Sequence, residues 1–139
     1  MRAYIDTNVI IRTLVQDAPG QSQAARDLFA LAAEGEVELL LSETTLAEAE
    51  WVLRSVYART RGEIATALKG VVAAVGTADE GRDVALAAID LYEDLGFDFT
   101  DALLAARALV YGPPLAYSFD RDFEQVPGLR RLEPGEALA

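Results

Sequence analysis

The stretch AYIDTNVIIRTLVQ, residues 3–16, decides the fold class. Its first part, Ala3 to Ile5, predicts a short buried strand, and Asn8 to Gln16 has the apolar spacing of a helix. The residues Asp17, Pro19 and Gly20 are expected to close this segment, because turn-forming residues interrupt a helical pattern. A strand that passes through a tight turn into a helix is the first unit of an α/β fold.

The rest of the chain repeats this alternation of helical and strand-like patterns. Further helices are expected at Gln21 to Ala33 with Gly35 as the stop, Thr44 or Thr45 to about Ala58, Gly62 to Val75, Arg82 to Leu95 and Thr100 to Val110. Further strands are expected at Glu38 to Leu41 and Leu115 to Phe119, with a short edge strand at Leu129 to Leu132. The segment Gly76 to Gly81 is predicted to be a polar turn.

Strands that alternate with helices predict a mainly parallel sheet covered on both faces, because parallel neighbours need crossover connections. The fold class is therefore α/β. No low-complexity tract, internal repeat or linker interrupts residues 1–139, so the sequence predicts one compact domain. In open parallel sheets, ligands bind beyond the carboxyl ends of the strands.

The amino-acid composition restricts the chemistry that this chain can perform. Hydrophobic residues make up 52% of the chain, enough for a sizeable core, and there is neither cysteine nor histidine. Thiolate nucleophiles, imidazole ligands and a histidine general base are thereby excluded. Any reaction must depend on carboxylates, hydroxyls or cations.

The charge and hydropathy patterns concern partners and location. No apolar run approaches the roughly 20 residues that cross a bilayer, and Met1 leads directly into a strand, so a cytoplasmic protein without membrane contact is expected. The net charge of −11 argues against broad attraction to nucleic acid. That argument weakens where carboxylates converge and bound cations invert the local potential.

Two acidic residues follow predicted strands directly. Asp6 comes after the apolar residues of the first strand, and Asp120 follows the strand that begins at Leu115. Each aspartate alone is equally well explained as a cap of the next helix or turn. Their shared position at strand ends favours a functional crevice.

Three further acids are candidates for the same crevice. Asp98 and Asp101 lie at the start of a predicted helix, where capping and dipole effects also explain them. Glu48 lies near the start of the helix after the second strand, between small alanines. Glu43 and Glu50 on the same helix are expected to be solvated.

Grouped carboxylates are typical of a site for Mg²⁺ or Mn²⁺, which prefer oxygen ligands and keep several waters. Such ions activate water and orient a phosphodiester. The hydroxyls of Thr7 and Ser118 and the amide of Asn8 are expected to support the ligands or to contact phosphate.

Four segments together resemble the PIN-domain family and, more narrowly, the VapC-type toxins of toxin-antitoxin pairs. They are YIDTNVI at 4–10, LAE at 46–48, DFTDAL at 98–103 and SFDRDF at 118–123. The resemblance extends over nearly the whole chain. It implies a three-layer α/β/α fold, a requirement for Mg²⁺ or Mn²⁺, and endoribonuclease activity on RNA.

The resemblance also implies roles for individual residues. The acidic quartet of the family corresponds to Asp6, Glu48, Asp101 and Asp120, with Asp98 and Asp122 as accessory metal ligands. Asn8 and Ser118 correspond to polar positions beside the metals. An antitoxin of the VapB type is the expected protein partner, and a homodimer is the expected assembly.

The sequence also offers candidate RNA-contacting arginines and a candidate dimer surface. Arg12, Arg54 and Arg121 are candidate RNA contacts, as are Arg59, Arg61 and Arg107, although ordinary solvation at a helix end is the favoured explanation for Arg54, Arg59 and Arg61. The helix around Trp51, Val52 and Tyr57 is a possible dimer surface, although a single tryptophan at helical spacing is more often part of the core.

Two alternatives belong to other functional classes. The first is a non-catalytic PIN-like module whose acidic pocket binds a basic peptide. The second is a phosphatase of the haloacid dehalogenase type, suggested by Asp6 after the first strand. That chemistry needs a second aspartate two residues later, where this chain has Asn8.

Overall fold

The computed structural model describes residues 1–75 and 81–136. Its strands are β1 (Arg2–Tyr4), β2 (Glu38–Leu40), β3 (Leu115–Tyr117) and β4 (Arg130–Leu132). Its helices are α1 (Thr7–Leu14), α2 (Pro19–Ala33), α3 (Glu43–Ser55), α4 (Arg61–Ala74), α5 (Arg82–Leu95) and α6 (Phe99–Tyr111). A short 3-10 helix, Arg121–Gln125, lies between β3 and β4.

The strands are parallel, as the sequence predicts, and they form two pairs. In the first pair β1 lies beside β2 with Ala3 opposite Leu39. In the second pair β3 lies beside β4 with Ala116 opposite Arg131. The predicted sheet is thus present as two separate two-stranded units, and the α/β class is confirmed.

Most helix boundaries agree with the sequence patterns, but the prediction that Pro19 and Gly20 close the first helical segment is wrong. Pro19 is the first residue of α2, where a residue without a backbone N–H fits because that group has no partner within the helix. Gly35 ends the same helix as predicted, with a φ of +80° and its N–H donated to the carbonyl of Ala32 at 3.1 Å.

One further element was not predicted, and one prediction is not tested. The 3-10 helix is not predicted, because five residues are too few to show helical periodicity. The predicted polar turn Gly76 to Gly81 lies outside the described residues except for Gly81.

A continuous apolar core joins the helices to the first strand pair. Helix α5 packs between α4 and α6, and the interior contains fully buried side chains such as Leu68, Ile89 and Phe99. Leu39 of β2 and Ile10 of α1 bring the amino-terminal βα unit into the same cluster. Among the described residues, no helix is both long and apolar enough to span a bilayer.

The core predicts a contrast between two leucines. Leu68 is fully buried on α4, so Leu68→Ala is expected to lower the free energy of unfolding by about 2 to 5 kcal/mol. Leu104 on α6 is 51% exposed, so Leu104→Ala serves as the matched control and is expected to change it by less than about 1 kcal/mol. Urea denaturation followed by circular dichroism measures both. Equal losses in the two variants would contradict this packing.

Candidate active site

The first acidic group forms where β1 leads into α1. Asp6 is the N-cap of α1, and its Oδ1 accepts a hydrogen bond from the N–H of Thr7 at 2.7 Å. The Thr7 side chain is buried, and its hydroxyl donates to Oε2 of Glu48 on α3 at 2.8 Å. This bond fixes Glu48 beside the start of α1. We call Asp6 and Glu48 the Asp6 group.

The Asp6 group lines one end of a cleft between α1 and α3 with a volume of about 270 Å³. Ile11 and Val52 contribute apolar walls, and the exposed amide of Asn8 lies at the acidic end. The complete lining is Asp6, Thr7, Asn8, Ile11, Arg12, Glu48, Val52, Val56 and Tyr57. The cleft therefore combines carboxylates with an apolar surface.

The second acidic group begins at the junction between α5 and α6. Gly96 ends α5 in the left-handed conformation, with a φ of 69°. Residues that carry a side chain rarely adopt this conformation, whereas glycine adopts it readily. Asp98 follows as the N-cap of α6, and its Oδ1 accepts from both the N–H and the hydroxyl of Thr100 at 3.1 and 3.0 Å. Asp101 lies one residue further on, in the first turn of α6.

Asp120 has the same kind of local role after β3. It is the N-cap of the 3-10 helix, and its Oδ1 accepts from the N–H of Asp122 at 2.9 Å. The N–H of Asp120 donates to the hydroxyl of Ser118 at 3.0 Å, so Ser118 fixes the turn that carries the aspartate.

Negative charges from both segments act on Asp101. Burial raises the pKa of Asp101 above its ordinary value, and the negative charges of Asp98, Asp120 and Asp122 raise it further. We call these four residues the Asp101 group. Its members come from the start of α6 and from the turn after β3, about 20 residues apart in the sequence.

Contacts thus link Glu48 to the start of α1 through Thr7, and the charges of Asp98, Asp120 and Asp122 act on Asp101. In the parts of the chain that the structure describes, no three acidic side chains lie close enough together to form a metal site. The donor chemistry nevertheless fits Mg²⁺ or Mn²⁺, because every ligand offered is a carboxylate oxygen. Over the same residues, Asp6, Asp98 and Asp120 each use only Oδ1 as a cap, so Oδ2 is available to a ligand.

Three of the arginines predicted as RNA contacts differ in their surroundings. Arg12 is bound to Asp17 and donates to Gln21 at 3.0 Å, and Arg54 forms an ion pair with Glu50 at 2.9 Å. Arg121 is exposed and forms no ion pair within residues 1–75 and 81–136.

Glu50 corrects the expectation of a solvated residue, because it is only 4% exposed. Its Oε2 accepts from Nε of Arg54 at 2.9 Å and from the hydroxyl of Tyr92 at 3.1 Å. A buried carboxylate needs such partners, since an unpaired charge is costly in the interior. The four-residue spacing of Glu50 and Arg54 predicts an ion pair on the helix surface. The burial of Glu50 under α5 could not be predicted, because it depends on how the two helices pack.

Arg61 has a role that the sequence did not predict, since the sequence indicated only a candidate RNA contact or a solvated residue at a helix end. Its guanidinium lies 4.1 Å from the centre of the Tyr92 ring and donates to the carbonyls of Tyr92 and Phe97 at 3.0 and 2.6 Å. Phe97 directly precedes Asp98, so Arg61 holds the backbone from which α6 starts. No local pattern shows this contact, because it joins positions 36 residues apart.

The helix surface predicted for a dimer is partly open. Trp51 on α3 is 55% exposed, so the more common core position for a single tryptophan does not apply here. Val56 is also exposed, whereas Tyr57 is half-buried and donates its hydroxyl to Asp17 at 2.7 Å.

Comparison with known protein families matches the chain to the PIN domain over residues 3–129. The chain therefore belongs to the PIN-domain family, and the predicted PIN-like α/β fold is confirmed. PIN domains are generally nucleases that act on nucleic acid, usually with divalent metal ions. Searches of curated proteins and of solved structures each found no match.

The Glu50 network predicts a high pKa for one tyrosine. Burial, and then the negative charge of Glu50, raise the pKa of Tyr92 to about 12. Because the folded protein holds this proton more tightly than the unfolded chain, the stabilisation is complete below pH 10 and is lost as the pH rises toward 12. Ultraviolet absorbance titration of the wild type and of Tyr92→Phe measures this: the difference between the two curves is expected near pH 12. A difference centred at pH 10 would contradict the burial of this hydroxyl.

Proposed function

We propose that this PIN-domain protein is a metal-dependent endoribonuclease that hydrolyses phosphodiester bonds in RNA. The observation that carries the proposal is that the negative charges of three aspartates, two of them from a distant segment, act on the partly buried Asp101. Mutual repulsion of carboxylates is unfavourable for folding, and a bound cation compensates for it.

The proposed metal ligands are Asp6, Glu48, Asp101 and Asp120, with Asp98 and Asp122 as accessory ligands. When bound, Mg²⁺ or Mn²⁺ supplies an activated water and neutralises charge on the phosphate. The chain itself holds the ligands. Capping bonds fix the carboxylate planes of Asp6 and Asp120, and the Thr7 hydroxyl fixes Glu48. Asn8 and Ser118 lie beside these ligands as donors for a phosphate oxygen.

We further propose that the protein is the toxin of a VapBC-type pair. The cleft beside the Asp6 group supports this, because Asp6 and Glu48 offer charge to a basic side chain while Ile11 and Val52 offer apolar contact. An antitoxin segment with a basic residue among apolar ones fits both features. Occupation of the cleft would block the proposed metal ligands.

A homodimer is the proposed assembly. Trp51 and Val56 are both more than half exposed on or just after α3, and exposed apolar side chains of this size favour contact with a second copy.

The decisive test is cleavage of a mixed RNA pool by the purified protein. With Mn²⁺ or Mg²⁺, Asp101→Asn is expected to lower the rate more than about a hundredfold, since even supporting residues of metal sites are worth about tenfold to a hundredfold. Asp94→Asn removes the same charge from an exposed position on α5 and is the matched control, with no expected effect. Added EDTA is expected to stop cleavage by the wild type.

Titration calorimetry with Mn²⁺ separates the possible failures. Cleavage that persists in Asp101→Asn at the rate of Asp94→Asn would contradict the proposed site. Absence of both cleavage and Mn²⁺ binding in the wild type would instead favour the non-catalytic module that binds a basic peptide.

The toxin proposal makes a separate prediction in cells. Induced expression of the wild type is expected to arrest growth, and Asp101→Asn, made to equal protein levels, is expected to relieve the arrest. Colony counts after induction measure this. Arrest of equal severity with both variants would show that the toxicity does not come from RNA cleavage.

A further inference from the structure

The strand β3 and the residues after it have an unusual pattern of exposure. From position 115 to 119 exposed and half-buried residues alternate, and Leu115, Tyr117 and Phe119 are 39%, 54% and 74% exposed. Alternate residues of an extended segment point to the same side. Leu115 and Tyr117 therefore share one side of β3, and Phe119 follows two residues after the strand ends. We call these three exposed apolar side chains the row.

The backbone beneath this row is held firmly. The N–H of Ser118 donates to the carbonyl of Leu132 at 2.9 Å, and Arg131 donates to the carbonyl of Ser118 at 2.8 Å. The hydroxyl of Ser118 accepts from the N–H of Asp120. Tyr117 and Phe119, on either side of Ser118, are thus presented on an ordered backbone, which lowers the entropic cost of binding something to their rings.

The row ends at the Asp101 group. Phe119 directly precedes Asp120, whose charge acts on Asp101. The most exposed aromatic residue therefore directly precedes a proposed metal ligand, and Tyr117, the last residue of β3, lies two positions before it.

Positive charge flanks the row. Arg130 on β4 is aligned with Leu115 at one end, and Arg121 follows Asp120 at the other. Both are exposed, and within the described residues neither forms an ion pair. In a chain with a net charge of −11, these two arginines are positioned to contact an anion that lies along the row.

We propose that Tyr117 and Phe119 form a platform on which the unpaired bases of single-stranded RNA stack, with Arg130 and Arg121 contacting the phosphates. Two exposed aromatic rings at the end of a strand, together with flanking cations, match the two surfaces of single-stranded RNA, because every base has a flat apolar face and every phosphate a charge. The assignment of RNA rests on the proposed function; the stacking does not depend on cleavage.

Base stacking also compensates for the weak electrostatic attraction between an acidic chain and RNA. Electrostatic attraction normally supplies much of the affinity for nucleic acid, and here it is opposed by the net charge. Contact between rings and bases is not charge-dependent, so it can supply affinity where cations are few. A paired duplex hides its base faces and would not use the platform.

Binding is tested without turnover, in EDTA, with a short single-stranded RNA that carries one 2-aminopurine. Stacking on a ring quenches the fluorescence of this base. The wild type is expected to quench it, and Phe119→Ala and Tyr117→Ala are each expected to bind roughly tenfold more weakly. Phe119→Trp is expected to retain binding. Tyr111→Ala, a change at an exposed ring at the far end of α6, is the matched control and should bind as the wild type does.

The salt dependence of binding separates stacking from phosphate contact. Arg130→Gln is expected to reduce the slope of log affinity against log salt by about one, whereas Phe119→Ala should lower affinity at an unchanged slope. Because both side chains are exposed, melting temperatures should stay near that of the wild type.

Several outcomes would overturn the platform. Phe119→Leu binding as tightly as the wild type would show that apolar area suffices without a ring. Equal affinity for single-stranded and duplex RNA would exclude base stacking. A change from dimer to monomer in Phe119→Ala, measured by sedimentation, would show that the row is an interface between copies.

The platform and the nuclease proposal can fail separately. If quenching follows these expectations while Mn²⁺-dependent cleavage is absent, the stacking platform is supported and the nuclease proposal is contradicted.

Discussion

The candidate site depends on one repeated interaction, the hydrogen bond from the backbone at a helix start to a capping aspartate. Asp6, Asp98 and Asp120 each accept such a bond, at α1, α6 and the 3-10 helix. The bond satisfies a backbone donor that has no partner within the helix, and it fixes the carboxylate at the start of the helix. Capping and ligand binding are therefore compatible, because each role uses a different oxygen of the same side chain. For these aspartates, the sequence leaves open a capping role and a ligand-binding role, and one role does not exclude the other.

A buried polar network supports the site from behind. Glu50 is compensated by Arg54 and Tyr92, and Arg61 covers the Tyr92 ring while holding the carbonyl before Asp98. The negative charge of Asp98 also helps to raise the pKa of Arg54, so the network and the Asp101 group interact. Burying these charges is costly unless all partners are in place, and a fully paired network specifies one arrangement of α3, α4 and α5.

Charge sets a further constraint on function. Arg12 and Arg54 are occupied by ion pairs, which leaves few cations for a polyanion, and the exposed Arg121 and Arg130 flank the row of apolar side chains on β3. A nuclease with this distribution needs affinity that does not come from charge alone. The exposed rings of Tyr117 and Phe119 offer it beside the acidic residues, where a substrate would have to lie.

The sequence by itself determined the α/β class, the order of helices and strands, and the acids at strand and helix ends, because periodicity and capping act between residues close in the chain. It also carried the PIN resemblance, since short motifs keep their spacing. The tertiary structure decided what depends on distant contacts. It buried Glu50 under α5, brought Arg61 to the start of α6, placed the charges of Asp120 and Asp122 where they act on Asp101, and left Tyr117 and Phe119 exposed. Packing between elements fixes these outcomes, and no local pattern encodes which faces meet.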